Sequence, residues 1–233
     1  MRLSLIIPAY NEGSRIEAAL ESYIRHFSKG FGKSFEVIAV LNGCIDDTSK
    51  VVAKLCKKYS HLRLMEFKEA LGKGGAILEG VKAAKGDVIG FVDADDAFET
   101  TALVRIAKMV EEGNDCIIAS KWKEQRFSSV SEPFARKFMS RGWNLLVKGM
   151  FQLNYEDTQA GAKFFSKKVR DSISLGFICK DFSFDAELLW RIQSKGFRIR
   201  EVYVPSRHME GSTFRLSHSA RMFRNLLKLW MSK

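Results

Sequence analysis

The sequence lacks any run of about 18 or more apolar residues, so it offers no membrane-spanning helix. Met1 leads directly into a strand pattern without the charged, apolar and small-residue regions of a signal peptide, and the expectation is a protein that stays in the cytoplasm. Cysteine is sparse. Cys44, Cys56, Cys116 and Cys179 stand without CxxC spacing, and His26, His61, His208 and His218 do not gather near them, so neither zinc nor a disulfide framework is indicated. The first strand-to-helix turn has no GxGxxG, and GxxxxGK followed by Ser or Thr is absent. A dinucleotide cofactor and a P-loop are therefore not expected. Repeats, linkers and low-complexity tracts are missing as well.

What is present is an ordinary globular composition. The 233 residues are 46% hydrophobic, enough for one sizeable core. The net charge of +11 is unevenly placed: residues 191–233 hold ten Lys/Arg against two acids, a local excess of +8. Such asymmetry implies an anionic partner, whether nucleic acid, membrane surface or phosphorylated substrate. No nucleic-acid motif accompanies it, and no nucleic-acid partner is expected.

Along the chain, apolar strands alternate with helical patterns five times. Strands are expected at Arg2 to Pro8, Phe35 to Leu41, Leu62 to Phe67, Val88 to Val92 and Asp115 to Ser120, with helices between them. The first helix is expected from about Ser14, with Ser14 as cap, to Phe27. That alternation argues an α/β fold: a mostly parallel, Rossmann-like sheet flanked by helices. A long helix follows over Phe134 to Phe151, then a short strand Ala162 to Phe165, a helix through Phe184 to Ser194 and a last strand Phe197 to Val204. Residues Ser217 to Lys233 read as a basic amphipathic helix, with Phe223, Leu226, Leu227 and Trp230 on one stripe and Arg221, Arg224 and Lys228 mostly off it. Such a helix suits either a membrane interface or the protein's own core.

The chemistry concentrates in Asp87 to Asp96, DVIGFVDADD. An apolar strand runs into Asp93, Asp95 and Asp96, at the carboxyl end where open α/β sheets bind ligands. Three carboxylates within four residues repel one another unless a cation intervenes. Oxygen-only ligands favour Mg²⁺ or Mn²⁺ held together with a substrate's phosphates. The competing reading is an acidic loop in which Asp96 starts the next helix. Gly72-Lys73-Gly74-Gly75 opens a helix with a lysine, a start suited to anions.

Taken together, PAYNE (Pro8 to Glu12), NGCIDDT (Asn42 to Thr48), GKGGA (Gly72 to Ala76), GDVIGFVDADD (Gly86 to Asp96), DTQAG (Asp157 to Gly161) and FDAELL (Phe184 to Leu189) resemble the family 2 glycosyltransferases of GT-A fold. Within these, DTQ-x-G and FD-x-ELL look most like the dolichyl-phosphate glucosyltransferase branch of the polyprenyl-phosphate sugar synthases. The resemblance implies a glycosyltransferase domain over 1–212, with a nucleotide-sugar half (1–120) and an acceptor half (121–212), followed by the basic helix over 213–233. It places Pro8, Ala9, Tyr10, Glu12 and Asn42 against the nucleoside, and Gly72, Lys73, Asp93, Ala94 and Asp95 against the donor's sugar and diphosphate. Asp95, aided by Asp93, would hold the metal. Lys121, Arg136 and Gln159 are assigned to the acceptor phosphate, and Asp157, Gln159 and Asp185 to the transferred sugar or acceptor. The implied reaction is inverting transfer of a hexose from UDP-glucose or GDP-mannose to a polyprenyl or dolichyl phosphate, at the cytoplasmic face of a membrane engaged through the basic C-terminal region. The alternative is a soluble glycan or other hydroxyl acceptor. A hydroxyl must lose a proton, so Asp185 or Asp157 would then serve as base. Leu41 and Asn42 stand where many members carry two acids, which leaves the base open.

Overall fold

The computed structural model describes residues 1–126, 130, 133–207 and 217–232; the side chains of residues 135, 136, 217 and 218 lie outside the description. The elements run β1 (Leu3–Ala9), α1 (Ile16–Phe31), β2 (Phe35–Asn42), α2 (Thr48–Lys58), β3 (Leu62–Phe67), α3 (Lys73–Ala83), β4 (Val88–Val92), α4 (Thr100–Glu111) and β5 (Cys116–Ser120). After the fifth strand come α5 (Phe134–Phe151), β6 (Ala162–Ser166), α6 (Lys167–Ser172), α7 (Phe184–Ser194), β7 (Ile199–Tyr203) and α8 (Ser217–Met231). The strands form a seven-stranded sheet in the order β3-β2-β1-β4-β6-β5-β7. Pairings are parallel except around β6, which runs antiparallel to both β4 and β5.

The apolar runs explain the layering. β2, β4 and β5 are buried at every residue, as strands covered on both faces must be. Alternation sorts side chains between two cores. Leu3, Leu5 and Ile7 of β1 join residues of α1, α2 and α4, while Ile6 joins those of α3, α6 and α7. From β1 the chain winds outward to β2 and β3, then crosses back to place β4 on the other side of β1. The carboxyl ends of β1 and β4 therefore diverge at a topological switch point, where such sheets open a crevice.

One expectation needs correction, and a second, left open between two alternatives, is divided by the packing. The first helix begins at Ile16, and its cap position is Arg15, which makes no side-chain capping bond. The carbonyl of Glu12 accepts both the Arg15 and Ile16 N–H groups, so this turn takes the place of a Ser14 cap and leaves Ser14 exposed. The second concerns the apolar stripe of α8. Met222, Leu226 and Leu229 are the buried residues, the two leucines in one apolar cluster with Val147, Phe151 and Leu189, while Phe223, Leu227 and Trp230 are exposed. No helix among the described residues is long and apolar enough to cross a membrane.

Candidate active site

β4 ends at Val92, and the next backbone groups are held from two sides. The Asp93 N–H donates to the Gly161 carbonyl at 3.0 Å, and Tyr23 Oη donates to the Asp93 carbonyl at 2.9 Å. The Asp93 carboxylate lies so close to Gly161 that a Cβ there would stand 1.9 Å from Oδ2. Only glycine permits this approach, which is the physical reason for the last residue of DTQAG. Lys73 Nζ meets Asp93 Oδ1 at 2.6 Å. Burial works against the charge of Lys73, but Asp93, Asp185 and Asp95 more than offset it and hold its pKa above the ordinary lysine value. Gly72, at φ 80°, makes that lysine's position possible: a side chain there would meet the Lys180 carbonyl at 2.3 Å.

Asp95 is half-buried beside Asp93. Burial first, and then the Asp93 charge, raise its pKa above the usual carboxylate value. Its Oδ1 accepts the Ala97 N–H at 3.1 Å. Asp96 takes a left-handed φ of 52°, and its Oδ1 accepts the Thr100 hydroxyl at 2.8 Å, but the cap position of α4 is Glu99 and no side chain caps the helix, so Asp96 is not the helix-start residue that the capping reading expected. The chain after β7 is pinned against this turn: Arg207 N–H donates to the Ala97 carbonyl at 2.8 Å and Glu99 N–H to Pro205 at 2.9 Å.

Asp93, Ala94, Asp95, Gly72 and Lys73 line a cleft of about 1080 Å³. It extends toward Pro8, Ala9, Tyr10, Glu12 and Asn42 at one end, and toward Lys121, Asp157 and Gln159 at the other. Glu12 is buried, its N–H donating to Thr48 Oγ1 at 2.8 Å and its carboxylate gripping the Arg15 guanidinium in two contacts. Arg15 also lines the cleft. Its pKa is raised chiefly by Glu12, with Asp95 and Asp93 contributing. Sequence reasoning missed Arg15. The available signal was a cation in the N-terminal turn of a helix, where the macrodipole disfavours it, three residues after an acid.

At the other end Asp157 is buried and its Oδ2 accepts the Lys121 N–H at 3.2 Å. Burial pushes its pKa to about 6. Gln159 Nε2 donates to the Phe182 carbonyl at 2.9 Å, which turns its amide nitrogen inward. Asp185 lies beneath the cleft floor. It pairs at 2.5 Å with Lys163 of β6, which is fully buried and also donates to the Ala160 carbonyl at 2.7 Å. Arg136 falls within α5, but its side chain lies outside the described residues. The wall from α5 and α8 is apolar at Phe138, Met139, Trp143, Leu146 and Met222, with Ser140, Asn144, Ser219 and Arg221 set among them.

The donor set fits a small divalent cation of the Mg²⁺ or Mn²⁺ kind. No group of three or more His, Cys, Asp or Glu side chains suited to a metal occurs among the described residues, so a dedicated cage is not what these residues build. Asp93 and Asp95 provide one or two carboxylates, which is how such ions are held when phosphates supply the remaining ligands.

These features agree with what known proteins show. The model of glycosyl transferase family 2 matches residues 4–173. A dolichyl-phosphate beta-glucosyltransferase of Dictyostelium discoideum is 30% identical, over 99% of this chain and 77% of that protein. The Homo sapiens protein of the same name is 29% identical, over 91% of this chain and 69% of its own. In fold, the chain is similar to glucosyl-3-phosphoglycerate synthase from Mycobacterium tuberculosis, solved with Mn²⁺, uridine-diphosphate and phosphoglyceric acid. The TM-score is 0.69 at 19% identity, covering 99% of this chain and 78% of that one. With the family's model matching residues 4–173, well over half of the chain, the chain belongs to glycosyl transferase family 2.

Proposed function

We propose that the protein transfers a hexose, glucose before mannose, from a nucleotide-diphosphate sugar to a polyprenyl or dolichyl phosphate. One observation carries this reading: a single cleft joins the Lys73, Asp93 and Asp95 cluster to a wall of Phe138, Met139, Trp143, Leu146 and Met222. Anion-collecting chemistry thus adjoins a surface fit for an isoprenoid chain. The dolichyl-phosphate relatives support the same choice of acceptor and of glucose. Lys73 and Arg15 bring positive charge to the donor's diphosphate, and Asp93 and Asp95 would hold a Mg²⁺ or Mn²⁺ ion there. When bound, that ion neutralises the diphosphate as it departs. A phosphate oxygen is already ionised near neutral pH, so attack in line with the leaving group needs no strong base. Lys121 lies on the acceptor side of the cleft, where a second anion must be tolerated near the first.

A second reading, transfer to a hydroxyl, is favoured by Asp157: a cleft-lining carboxyl with a pKa of about 6 is ionised at neutral pH and able to take a proton. The deciding experiment offers UDP-glucose or GDP-mannose with Mn²⁺, with and without a short-chain polyprenyl phosphate. Sugar appearing on the lipid phosphate is the expected result. Donor hydrolysis indifferent to the lipid would move the assignment to a hydroxyl acceptor.

Under this reading the protein works at the cytoplasmic face of a membrane, and the outward side of α8 supports it. Phe223, Leu227 and Trp230 are 46%, 38% and 49% exposed, interleaved with Arg221, Arg224 and Lys228. On α5, Phe134 and Leu145 are likewise exposed beside the cleft wall. Aromatic and basic residues on one face suit an anionic bilayer surface, with roughly 1 kcal/mol from each cation near it. Sedimentation with vesicles containing phosphatidylserine should carry down the protein. The Phe223→Ser/Trp230→Ser variant should stay in the supernatant while its transfer to a detergent-soluble lipid phosphate is retained. Equal sedimentation of both proteins would remove α8 from the membrane contact.

A further inference from the structure

The turn that carries Asp157 and Gln159 into the acceptor end of the cleft is held by its backbone from several elements at once. Asn144 Oδ1 of α5 accepts the N–H and the hydroxyl of Thr158 at 3.1 and 2.7 Å. Lys163 of β6 donates to the Ala160 carbonyl, and the Asp93 N–H to that of Gly161. The first two N–H groups of the turn go to Glu201 of β7. Its Oε1 accepts the Asp157 N–H at 2.7 Å and the Glu156 N–H at 3.0 Å, and its Oε2 also faces the Glu156 N–H at 2.9 Å. Hydrogen bonds to a carboxylate are roughly twice as strong as those between neutral groups.

β7 is an edge strand, paired with β5 in a register that sets Glu201 beside Ile118 and Tyr203 beside Ser120. One residue past Ser120, the Lys121 N–H donates to Asp157 Oδ2 at 3.2 Å. The sheet edge therefore grips the acceptor end twice, through Lys121 and through Glu201. Lys121 and Asp157 line the cleft, whereas Glu201 borders a separate cavity of about 760 Å³ with Lys123 and Tyr155. A side chain placed there acts on a bound molecule through the turn it holds. We infer that Glu201 is a positioning residue for the acceptor: by taking the Glu156 and Asp157 N–H groups, it sets the Asp157 carboxylate and the Gln159 amide against the attacking group. The inference rests on the function proposed above, which puts the acceptor at that end. Without Glu201, two N–H groups lose their acceptor beside an Asp157 that is 4% exposed, and the turn must shift to find another. A displacement of about 1 Å is enough to slow a reaction that depends on alignment by as much as about 10²-fold. The competing account is that the charge of Glu201 acts on the cleft at a distance.

Glu201→Gln and Glu201→Asp separate the two accounts. Because Oε1 alone takes both N–H groups, a carboxamide oxygen in its place keeps both bonds and gives up the charge. The aspartate variant keeps the charge and, one methylene shorter, withdraws the oxygens from the turn. Rates of transfer from UDP-glucose to a short-chain polyprenyl phosphate with Mn²⁺, at varied concentrations of each substrate, read the outcome. Calorimetric titration with UDP and Mn²⁺ controls for the donor half. Glu201→Gln is expected to stay within about threefold of the native kcat/KM for the lipid phosphate and Glu201→Asp to fall about tenfold or more, while both bind UDP within about threefold of native. The reverse order would assign the effect to charge and overturn the inference. Glu201→Asp within about threefold of native would also overturn it. So would UDP binding weakened as far as transfer, which marks damage to the whole fold. A native protein that leaves the lipid phosphate unmodified would defeat the acceptor reading itself, and the inference with it.

Discussion

Replacement of Asp95 by alanine is expected to lower sugar transfer by about 10²–10³-fold, the usual scale for removing a group that stabilises developing charge, while leaving the melting temperature unchanged or slightly raised. The two halves of this expectation share one cause. Asp95 is half-buried next to Asp93, and burial and that neighbouring charge both disfavour its ionised form. Removing it relieves the folded protein of a repulsion and takes from the site a ligand for the cation. The pH dependence follows with opposite signs for stability and activity. Because the folded pKa is raised, the contribution of this group to stability is fully present below its unfolded value near 3.8 and is lost as pH rises through the folded value. Activity runs the other way: protons displace the cation at a higher pH than they would from an ordinary carboxylate, so transfer falls off early on acidification. Initial rates of the native and Asp95→Ala proteins against Mn²⁺ concentration, together with thermal melts, test both halves. Undiminished turnover in the variant would sink the metal assignment.

The alternation of strands and helices was legible because the central strands β2, β4 and β5 are apolar runs buried at every residue and ended by turn residues, while the mixed edge strands β3 and β7 were placed by their position in the alternation. The acid cluster was legible for a related reason: Asp93 follows directly on Val92, and the carboxyl end of a parallel strand is where ligands sit. The helix-start role read for Asp96 does not hold as a cap: the cap position of α4 is Glu99, and Asp96 instead meets the Thr100 hydroxyl from a left-handed turn three residues earlier. What stayed hidden depends on contacts distant in sequence. Lys163 sits in the apolar strand AKFFS, and nothing near it announces an acid partner 22 residues later. Arg15 required knowing that Glu12 is buried and turns back on it. For α8 the stripe of Phe223, Leu226, Leu227 and Trp230 was read as fit for either a membrane or the core, and the structure divides it: Leu226 is buried and the other three are exposed. A wide apolar arc on a helix can present one edge to the core and another to solvent, and only packing partners such as Val147, Phe151 and Leu189, which cluster with Leu226 and Leu229, decide which goes inward.

Lys163→Met is expected to be the most destabilising single change outside the apolar core. Lys163 is fully buried, and its ammonium bonds to Asp185 and to the Ala160 carbonyl. Taking away one partner of a buried pair leaves the other charge uncompensated, a loss of about 3–5 kcal/mol. For a chain of this size that corresponds to a fall in melting temperature of the order of 10 °C. An exposed pair such as Lys50 with Asp47 carries no such consequence, because water and salt screen it. The double replacement Lys163→Met/Asp185→Leu removes both charges and should recover most of the lost stability, since apolar side chains of similar volume commonly replace buried pairs without net loss. Thermal melts of the single and double variants decide this, and a single variant within about 1 kcal/mol of the native protein would show that the pair is solvated after all. The double variant also separates two roles for Asp185. Through Lys163, Asp185 anchors the turn that carries Asp157, Gln159 and Gly161, and so the glycine that admits the Asp93 carboxylate. If turnover returns along with stability, neither the Asp185 carboxylate nor the Lys163 bond to the turn is needed for the chemistry, and the pair serves the fold alone. If stability returns without turnover, the site needs the charged pair, and Asp185→Asn with Lys163 kept then tells the carboxylate from the anchor, a loss there favouring a hydroxyl acceptor that requires a base.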